Sequence, residues 1–341
     1  MHKKFRKGVV YSMKLNDFYA GQKVMSGQIG AILSKVTPSV TKTGKPYYDC
    51  EFQDSSTKIQ VKIWDITPEI KEICEEFLAI LKRQNDLKIL NTPEALEELR
   101  MIPPIIVTFT GVVSEYSGKL QLTVTAMQKI KADPLDYFFA PVSTEMAQQY
   151  KEELSRYIAQ VENEDCANIL RLVLNDPIVA RDFYLFPAAV GHHHAFKYGL
   201  LLHTLQVVKY AVALFDAYPI EHQKINVSRD IIITAAILHD LGKIEEYSYF
   251  ISNNTIEYNQ FGVHHRSSSL SLVREILAEH GLRNKYREIC NKLGKVIYEH
   301  HGPYESERDY EKTKCLESKF IFAADATSAA LAPFFEDPNN I

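Results

Sequence analysis

The sequence lacks the cysteine patterns of disulfide-rich and zinc-binding proteins. Its five cysteines form no CxxC pair, and an odd number of them cannot complete a disulfide framework. It also lacks a long apolar run, since the best candidate, Ile231–Leu238, is far shorter than the roughly 18 residues that span a bilayer. The basic start, Met1–Lys7, is followed by too short an apolar stretch for an export signal. We therefore expect buried thiols, no structural zinc, no membrane segment and a cytoplasmic protein.

No single sign of charge dominates the chain, whose formal net charge is −4. The charges are nevertheless divided unevenly, with +5 over residues 1–131 and −9 over the remainder. At 341 residues the chain is long enough for two domains, each with its own core. A basic part beside an acidic part suits a protein that binds a polyanion with one domain and acts on it with the other. Chance surface charge is the alternative.

The N-terminal part shows the period-two alternation of strands with one buried face. Apolar and polar residues alternate over Lys23–Val36 and Tyr47–Asp65. Two later segments, Ile105–Glu115 and Leu120–Ile130, also have the composition of strands. A helical stretch from Pro68 to about Arg100 separates the two halves, and a second helix begins within it at Thr92-Pro93. Three strands, a helical insertion and a hairpin match a five-stranded OB barrel.

This part resembles the nucleic-acid-binding OB modules in two motifs, Gly44–Tyr48 leading into the second strand and Lys62–Asp65 closing the third. OB folds bind oligonucleotides on this face, where aromatic side chains stack on bases and lysines contact phosphates. The residues that we predict to bind the strand are Lys45, Tyr48, Lys62 and Trp64. Because neighbours in a strand point to opposite faces, only one of Tyr47 and Tyr48 can face the ligand. We apply the same rule to Lys62 and Trp64 and expect at most one of them to contribute to strand binding. For each aromatic residue the alternative role is packing in the core.

The C-terminal part is predicted to be helical throughout, after a linker at Asp133–Pro141. Within it, His239 and Asp240 lie side by side near the end of the apolar segment Ile231–Leu241. An imidazole nitrogen and a carboxylate oxygen together suit a borderline-hard divalent metal. A single histidine on an apolar helix is more often a hydrogen-bonded core residue, so the pair needs support from other residues.

Further histidines and an aspartate extend the pair to an ordered set, His203, His239-Asp240, His264-His265, His300-His301 and Asp325. This order along a helical chain resembles the signature of the HD-domain metal-dependent phosphohydrolases. A more specific match is formed by Phe186–Ala189, His193-His194-Ala195 and Gly199–Thr204. Together with the OB module, it resembles the YhaM family of 3′-to-5′ exoribonucleases, which join an N-terminal OB domain to a C-terminal HD domain.

The resemblance implies a metal centre with two sets of ligands, His203, His239, Asp240 and Asp325 for one ion, and His300, His301 and either His264 or His265 for a second that Asp240 bridges. We expect one or two divalent ions, with Mn as the first choice and Fe, Co, Ni, Zn or Mg as alternatives. Asp240 and Lys243 are the predicted catalytic residues. Lys243 would neutralise a phosphate oxygen in the transition state, or else be a solvated lysine at a helix end. His193 and His194 would contact the substrate phosphate or support the metal ligands.

We therefore predict a multidomain protein with an N-terminal extension (1–22), an all-β OB domain with a helical insertion (23–131), a linker (132–142) and an all-α HD domain (143–335). The predicted activity is metal-dependent 3′-to-5′ exonucleolytic hydrolysis of single-stranded RNA, extending to single-stranded DNA. One alternative is a nucleotide or cyclic-dinucleotide phosphohydrolase with a regulatory OB module, and another is a non-catalytic nucleic-acid-binding protein. The family resemblance also suggests a homo-oligomer.

Overall fold

The chain divides into two compact units. The first comprises Met1–Ala140 with Ser248–Asn259, and the second comprises Pro141–Tyr247 with Gln260–Ile341. The computed structural model describes residues 13–90, 92–100, 102–139, 142–191, 193–218, 226–252, 255–260, 264–302 and 315–336. The basic start of the chain lies outside the described residues, as does Asn91 between the two predicted helices.

Six strands of the first unit form one closed sheet, β1 (Lys23–Val24), β2 (Gly30–Val40), β3 (Pro46–Gln53), β4 (Lys58–Ile63), β5 (Ile106–Tyr116) and β6 (Lys119–Lys129). The strand order is β1-β5-β2-β3-β4-β6, and an additional pairing of β5 with β6 closes the barrel. β4 pairs with β6 in parallel, and the other pairs are antiparallel. The five long strands thus have the closed order expected of an OB barrel, which confirms the predicted fold of this part.

Alternation along β3 and β4 explains how these strands build the barrel wall. Tyr48, Cys50 and Phe52 point inward from β3, and every second residue of β4 is buried likewise. The residues between them lie on the outer face and carry most of the charges.

Two helices connect β4 to β5, α1 (Pro68–Leu90) and α2 (Pro93–Arg100). The Thr92 hydroxyl accepts a hydrogen bond from the backbone of Ala95 at 3.2 Å, so the predicted N-cap of the second helix is confirmed. Ile70 and Phe77 of α1 are fully buried in the same cluster as the barrel core. α1 is therefore part of the OB core rather than an appended insertion.

The segment predicted as a linker contains a short helix, α3 (Leu135–Phe138), in which Leu135 and Tyr137 are buried. After it come the helices of the second unit, α4 (Thr144–Ile158), α5 (Glu164–Leu174), α6 (Pro177–Asp182), α7 (Gly199–Asp216), α8 (Arg229–Leu238), α9 (Lys243–Glu246), α10 (His265–Glu279), α11 (Arg287–Tyr298) and α12 (Leu316–Glu336). α7 and α8 are the most apolar of the core helices, and every residue from Ile231 to Leu238 is buried. Among the helices that the structure describes, none combines the length and the apolar character needed to cross a membrane.

A β-hairpin interrupts the helical region, with strands β7 (Tyr247–Ser252) and β8 (Thr255–Gln260). The prediction of uninterrupted helices was wrong here. The hairpin belongs to the first unit, where Tyr249 stacks on Phe138 with ring centroids 5.4 Å apart and Tyr258 meets the edge of Phe139 at 5.2 Å. These contacts join residues that are distant in sequence. The sequence of the hairpin by itself therefore gave no clear indication of strands.

Candidate functional site

The ends of helices bring the predicted metal ligands together inside the second unit. His239 and Asp240 follow α8, His265 begins α10, and His300 follows the C-terminus of α11. His203 and Asp325 project from within α7 and α12. Among the residues that the structure describes, four groups of three have ligand atoms within 4.8 Å of one another, namely His203-His239-Asp325, His239-Asp240-His300, His300-His301-Asp325 and His264-His265-His301.

Asp240 lies at the centre of this cluster and is only 2% exposed. Its Oδ2 atom is 3.2 Å from His203 Nε2 and 3.4 Å from His239 Nε2. Its Oδ1 atom is 3.3 Å from His265 Nε2 and 3.7 Å from His300 Nε2. Each carboxylate oxygen thus faces two imidazoles, so Asp240 would be shared by the ligand sets of both ions if two were bound.

Backbone carbonyls determine which nitrogen of two of these histidines carries the proton. His239 Nδ1 lies 2.8 Å from the carbonyl oxygen of Ala236, and His300 Nδ1 lies 2.5 Å from that of Ile297. Because a carbonyl oxygen can only accept, Nδ1 must be the donor in both rings. The Nε2 lone pairs therefore point toward Asp240, as they must in a metal ligand.

Glu246 distinguishes the two adjacent histidines, His264 and His265. Its Oε2 atom accepts from the backbone N–H of His265 at 3.0 Å and from His265 Nδ1 at 2.5 Å, which leaves the Nε2 lone pair to face Asp240. His264 is the N-cap of α10, where its Nδ1 accepts from the backbone N–H of Arg266 at 3.4 Å. The geometry therefore favours His265 over His264 as the residue beside Asp240.

The electrostatics of the cluster favour a bound cation. Burial by itself raises the pKa of Asp240, but His239, Lys243 and His265 outweigh it and hold that pKa well below its usual value. Burial lowers the pKa of His300, and the neighbouring imidazoles lower it further. Asp240 Oδ1 and His300 Nε2 are both buried and have no hydrogen-bond partner among the described residues. A divalent metal satisfies both atoms, so the residues present fit the ion.

Lys243 is not the solvated lysine of the alternative interpretation. It is buried at the start of α9, and its Nζ atom lies 2.6 Å from Asp240 Oδ2. Burial lowers the pKa of Lys243, but the Asp240 carboxylate outweighs burial and the pKa is raised. The side chain is therefore a permanent positive charge at the edge of the cluster.

Close packing against α10 fixes the turn that carries Asp240. Ser269 Oγ donates to the carbonyl of His239 at 2.8 Å and accepts from the backbone N–H of Gly242 at 2.8 Å. A Cβ atom at Gly242 would lie 2.2 Å from Ser268 Oγ and 2.6 Å from Ser269 N, so only glycine fits. The serines that follow His265 in sequence thus hold the His-Asp turn in place.

The two histidines that precede α7 have different environments. The ring of His193 is partly exposed and lies 6.1 Å from the ring of His203. His194 is fully buried, and its Nε2 is 3.0 Å from Gln206 Oε1. Burial lowers the pKa of His194 to about 3, so this ring is neutral. The prediction that His194 contacts substrate was wrong, because its buried ring is turned to Gln206; the alternative of supporting the metal ligands fits its position.

On the OB unit, the prediction for Tyr48 was wrong. Tyr48 is 8% exposed and packs in the barrel core, so it cannot stack on a base. Its neighbour Tyr47 lies on the outer face and stacks against Trp64 with ring centroids 4.6 Å apart. Lys62 Nζ lies 5.5 Å from the centre of the Tyr47 ring. Lys62 and Trp64 are two positions apart and share this face, so the expectation that only one could matter was also wrong.

The lysines of this outer face are paired with carboxylates rather than isolated. Lys45 lies 3.2 Å from Asp65, and Lys62 lies 2.6 Å from Asp49. Trp64 is 36% exposed. A phosphate that binds here must therefore compete with the carboxylates for the lysines. The rings of Tyr47 and Trp64 are stacked on each other.

Four residues of the cluster were not singled out from the sequence, namely Glu246, Ser269, Gln206 and Ser328. Each forms a hydrogen bond with a histidine or with the His-Asp turn, and three of these bonds join separate helices whereas that of Gln206 reaches His194 in the loop before α7. Glu246 lies six residues after Asp240, and a carboxylate so close to the pair was the one signal available in the sequence.

Comparisons with known proteins agree with the sequence motifs. The HD domain family matches residues 200–330. The 3′-5′ exoribonuclease YhaM of Listeria welshimeri serovar 6b is 29% identical over 294 residues, which cover 85% of this chain and 80% of that protein. The protein of the same name from Listeria innocua serovar 6a is 27% identical with the same coverage.

Among solved structures, the second OB-fold domain of replication protein A from Methanococcus maripaludis aligns with 36% of this chain and 96% of that chain, at 13% identity and a TM-score of 0.20. At this TM-score the alignment adds nothing to the strand order, on which the OB assignment rests. The sequence relatives and the HD domain match confirm the predicted resemblance. The chain is similar to the YhaM 3′-5′ exoribonucleases over 85% of its length, and its OB-like barrel is followed by a helical region that contains an HD domain.

Proposed function

We propose that this protein is a metal-dependent 3′-to-5′ exoribonuclease, in which the OB unit binds single-stranded RNA and the HD centre hydrolyses its terminal phosphodiester bond. The observation that carries the proposal is the convergence of imidazole nitrogens on the buried Asp240 carboxylate, with Asp325 beside them. The names of the Listeria relatives supply the direction of cleavage and the class of substrate.

Two divalent ions account best for the donor set, and we propose Mn as the physiological metal. His203, His239 and Asp325 form one group, His265 and His301 belong to another, and Asp240 faces both. Imidazole and carboxylate donors suit Mn as well as Fe, Co, Ni or Zn. When bound, such ions lower the pKa of water and stabilise negative charge on phosphate oxygens.

The chain's own residues orient the reaction around these ions. Lys243 is held 2.6 Å from Asp240 and adds positive charge for a nonbridging phosphate oxygen. We propose that His193 contacts the phosphate of the terminal nucleotide, which is supported by its partial exposure near His203. Water adds to phosphorus in line with the upstream 3′-oxygen, which leaves with its electron pair and takes up a proton. A shortened strand with a free 3′-hydroxyl remains.

The outer face of β3 and β4 is the proposed strand-binding surface. Tyr47 and Trp64 provide stacking area for bases, and Lys62 lies within reach of a neighbouring phosphate. Stacking does not read the sugar, so single-stranded DNA is a second proposed substrate. All five cysteines are free thiols, which suits a reducing cytoplasm. We also propose that the protein forms a homo-oligomer.

The test is digestion of a single-stranded RNA oligonucleotide labelled at its 5′ end, after the protein has been stripped of metal and supplied with Mn²⁺. A 3′-to-5′ exonuclease gives a ladder of progressively shorter labelled products. Asp240→Asn should give no ladder, whereas Thr327→Ala, which removes an exposed hydroxyl on α12, should digest like the wild type. A phosphorothioate at the 3′-terminal linkage should block the ladder and thereby exclude internal cleavage.

Two results would overturn the proposal. Immediate release of a labelled mononucleotide would mean cleavage from the 5′ end. An intact strand together with hydrolysis of free nucleotides or cyclic dinucleotides would instead support a nucleotide phosphohydrolase with a regulatory OB module.

A further inference from the structure

A chain of hydrogen bonds leads away from the metal cluster on the far side of His203, buried at Ser328 and partly buried at Gln206. His203 Nδ1 lies 3.1 Å from Ser328 Oγ, and Ser328 Oγ lies 2.8 Å from Gln206 Oε1. The same Gln206 oxygen lies 3.0 Å from His194 Nε2. These hydrogen bonds therefore connect α7, α12 and the loop before α7 through atoms that face away from the carboxylates.

Only one assignment of donors and acceptors is consistent with all three of these hydrogen bonds. Gln206 Oε1 can only accept, so it takes the proton of the Ser328 hydroxyl and the Nε2–H of His194. Ser328 has a single proton, and with that proton directed at Gln206 its oxygen must accept from His203 Nδ1. His203 then carries its proton on Nδ1, and its Nε2 lone pair faces Asp240 and Asp325 at 3.2 Å from each.

We propose that Ser328 and Gln206 are positioning residues that hold His203 in the tautomer able to bind metal, with His194 fixing the orientation of the Gln206 amide. If the amide turned over, its NH₂ group would donate to Ser328, whose hydroxyl would then donate to His203 Nδ1. The proton of a neutral His203 would be displaced to Nε2, where it blocks the metal. In the described structure Ser328 forms hydrogen bonds with His203 and Gln206, so both residues act on the metal cluster through His203.

The backbone around His194 supports this role. His194 has a positive φ of 58°, and its carbonyl oxygen accepts from the backbone N–H of Ala188 at 3.0 Å. A Cβ atom at Gly199 would lie 2.0 Å from that carbonyl oxygen, so the loop packs against the start of α7 with no room for a side chain. The His194 ring is therefore held against Gln206 by the backbone on both sides.

The proposal rests on the metal centre of the proposed function, and it is tested by metal affinity rather than by activity. Full-length protein is stripped of metal and titrated with Mn²⁺ against a competing chelator. Ser328→Ala should bind Mn²⁺ about 10- to 100-fold more weakly than wild type, the usual effect of losing the partner of a metal-binding histidine. The matched control is Thr327→Ala on the same helix, whose hydroxyl bonds only to the backbone of Ala323 in the described structure and which should bind like the wild type.

A pair of substitutions at Gln206 separates positioning from simple packing. Gln206→Leu removes the acceptor and lets the Ser328 hydroxyl turn toward His203, so it should weaken Mn²⁺ binding by a similar factor. Gln206→Glu keeps an acceptor that cannot turn over, so it should retain nearly wild-type affinity. Equal losses in the Gln206→Leu and Gln206→Glu variants, at equal melting temperature, would overturn the assigned direction of the hydrogen bonds.

Should Ser328→Ala bind Mn²⁺ as tightly as wild type while Asp240→Asn does not bind it, the positioning role is wrong and the metal centre stands. If wild type and Asp240→Asn bind equally, the proposed function fails as well.

Discussion

The buried Asp240–Lys243 pair gives the sharpest test of how the cluster is built. We consider Asp240→Asn in metal-free protein, which removes the carboxylate charge but keeps the shape of the side chain. Lys243 then keeps a buried ammonium group whose partner at 2.6 Å has lost its charge. Breaking a buried ion pair on one side typically lowers the free energy of unfolding by about 3–5 kcal/mol, because the remaining charge is uncompensated.

Lys243→Met should be less damaging than Asp240→Asn. Burial lowers the pKa of His203, but its hydrogen bonds to Asp240 and Asp325 outweigh burial and raise it, so this ring can carry a positive charge beside Asp240 in place of the lost ammonium. The double variant has neither charge, so it should recover part of the loss seen in Asp240→Asn alone. We expect a coupling energy of about 2–3 kcal/mol, the upper part of the range for residues in contact.

The assay is urea unfolding of wild type, both single variants and the double variant in the presence of EDTA. A matched control is the solvent-accessible pair Lys209–Glu153, whose atoms are 2.7 Å apart. Its cycle, with Lys209→Met and Glu153→Gln, should give only about 0.2–1 kcal/mol because water screens the charges. A coupling in the buried pair no larger than that of Lys209–Glu153 would refute the reasoning.

Three further predictions concern the other parts of the molecule. Trp64→Ala should weaken binding of single-stranded RNA about 5- to 150-fold in a filter or anisotropy assay, the equivalent of about 1–3 kcal/mol of stacking, with little change in melting temperature. The exposed Tyr19→Ala is its control, and a large loss of stability with unchanged affinity would contradict the surface role of Trp64. Glu246→Gln keeps a hydrogen bond to His265 but removes its charge, so Mn²⁺ affinity measured by chelator competition should fall about 10- to 100-fold; an unchanged affinity would show that His265 is not a ligand. A variant that starts at residue 141, with hairpin residues 248–259 replaced by a short turn, should still cleave a dinucleotide but bind long strands more weakly. An equal loss of affinity for both substrates would mean that the first unit does not bind the strand.

The sequence by itself was enough for the elements whose signal is local. Alternation predicted the barrel strands, Thr92-Pro93 predicted the start of α2, and the order of histidines and aspartates predicted an HD domain. Such features depend on residues near one another in the chain or on motifs that the chemistry constrains. The hairpin at Tyr247–Gln260 was missed because its aromatic residues pack on Phe138 and Phe139, more than a hundred positions away.

Only the tertiary structure decided the roles within each motif. The sequence offers His264 and His265 as equals, and Glu246 on a neighbouring element separates them by bonding to His265. Tyr47 and Tyr48 differ in role because β3 is part of a closed barrel, with one side packed in the core and the other outside. The Ser328–Gln206 chain has no sequence signature, since its hydrogen bonds join different helices. Periodicity indicates which residues share a face. Which nitrogen of a histidine carries the proton, and which of two histidines can bind a metal, depends on atoms that folding brings together.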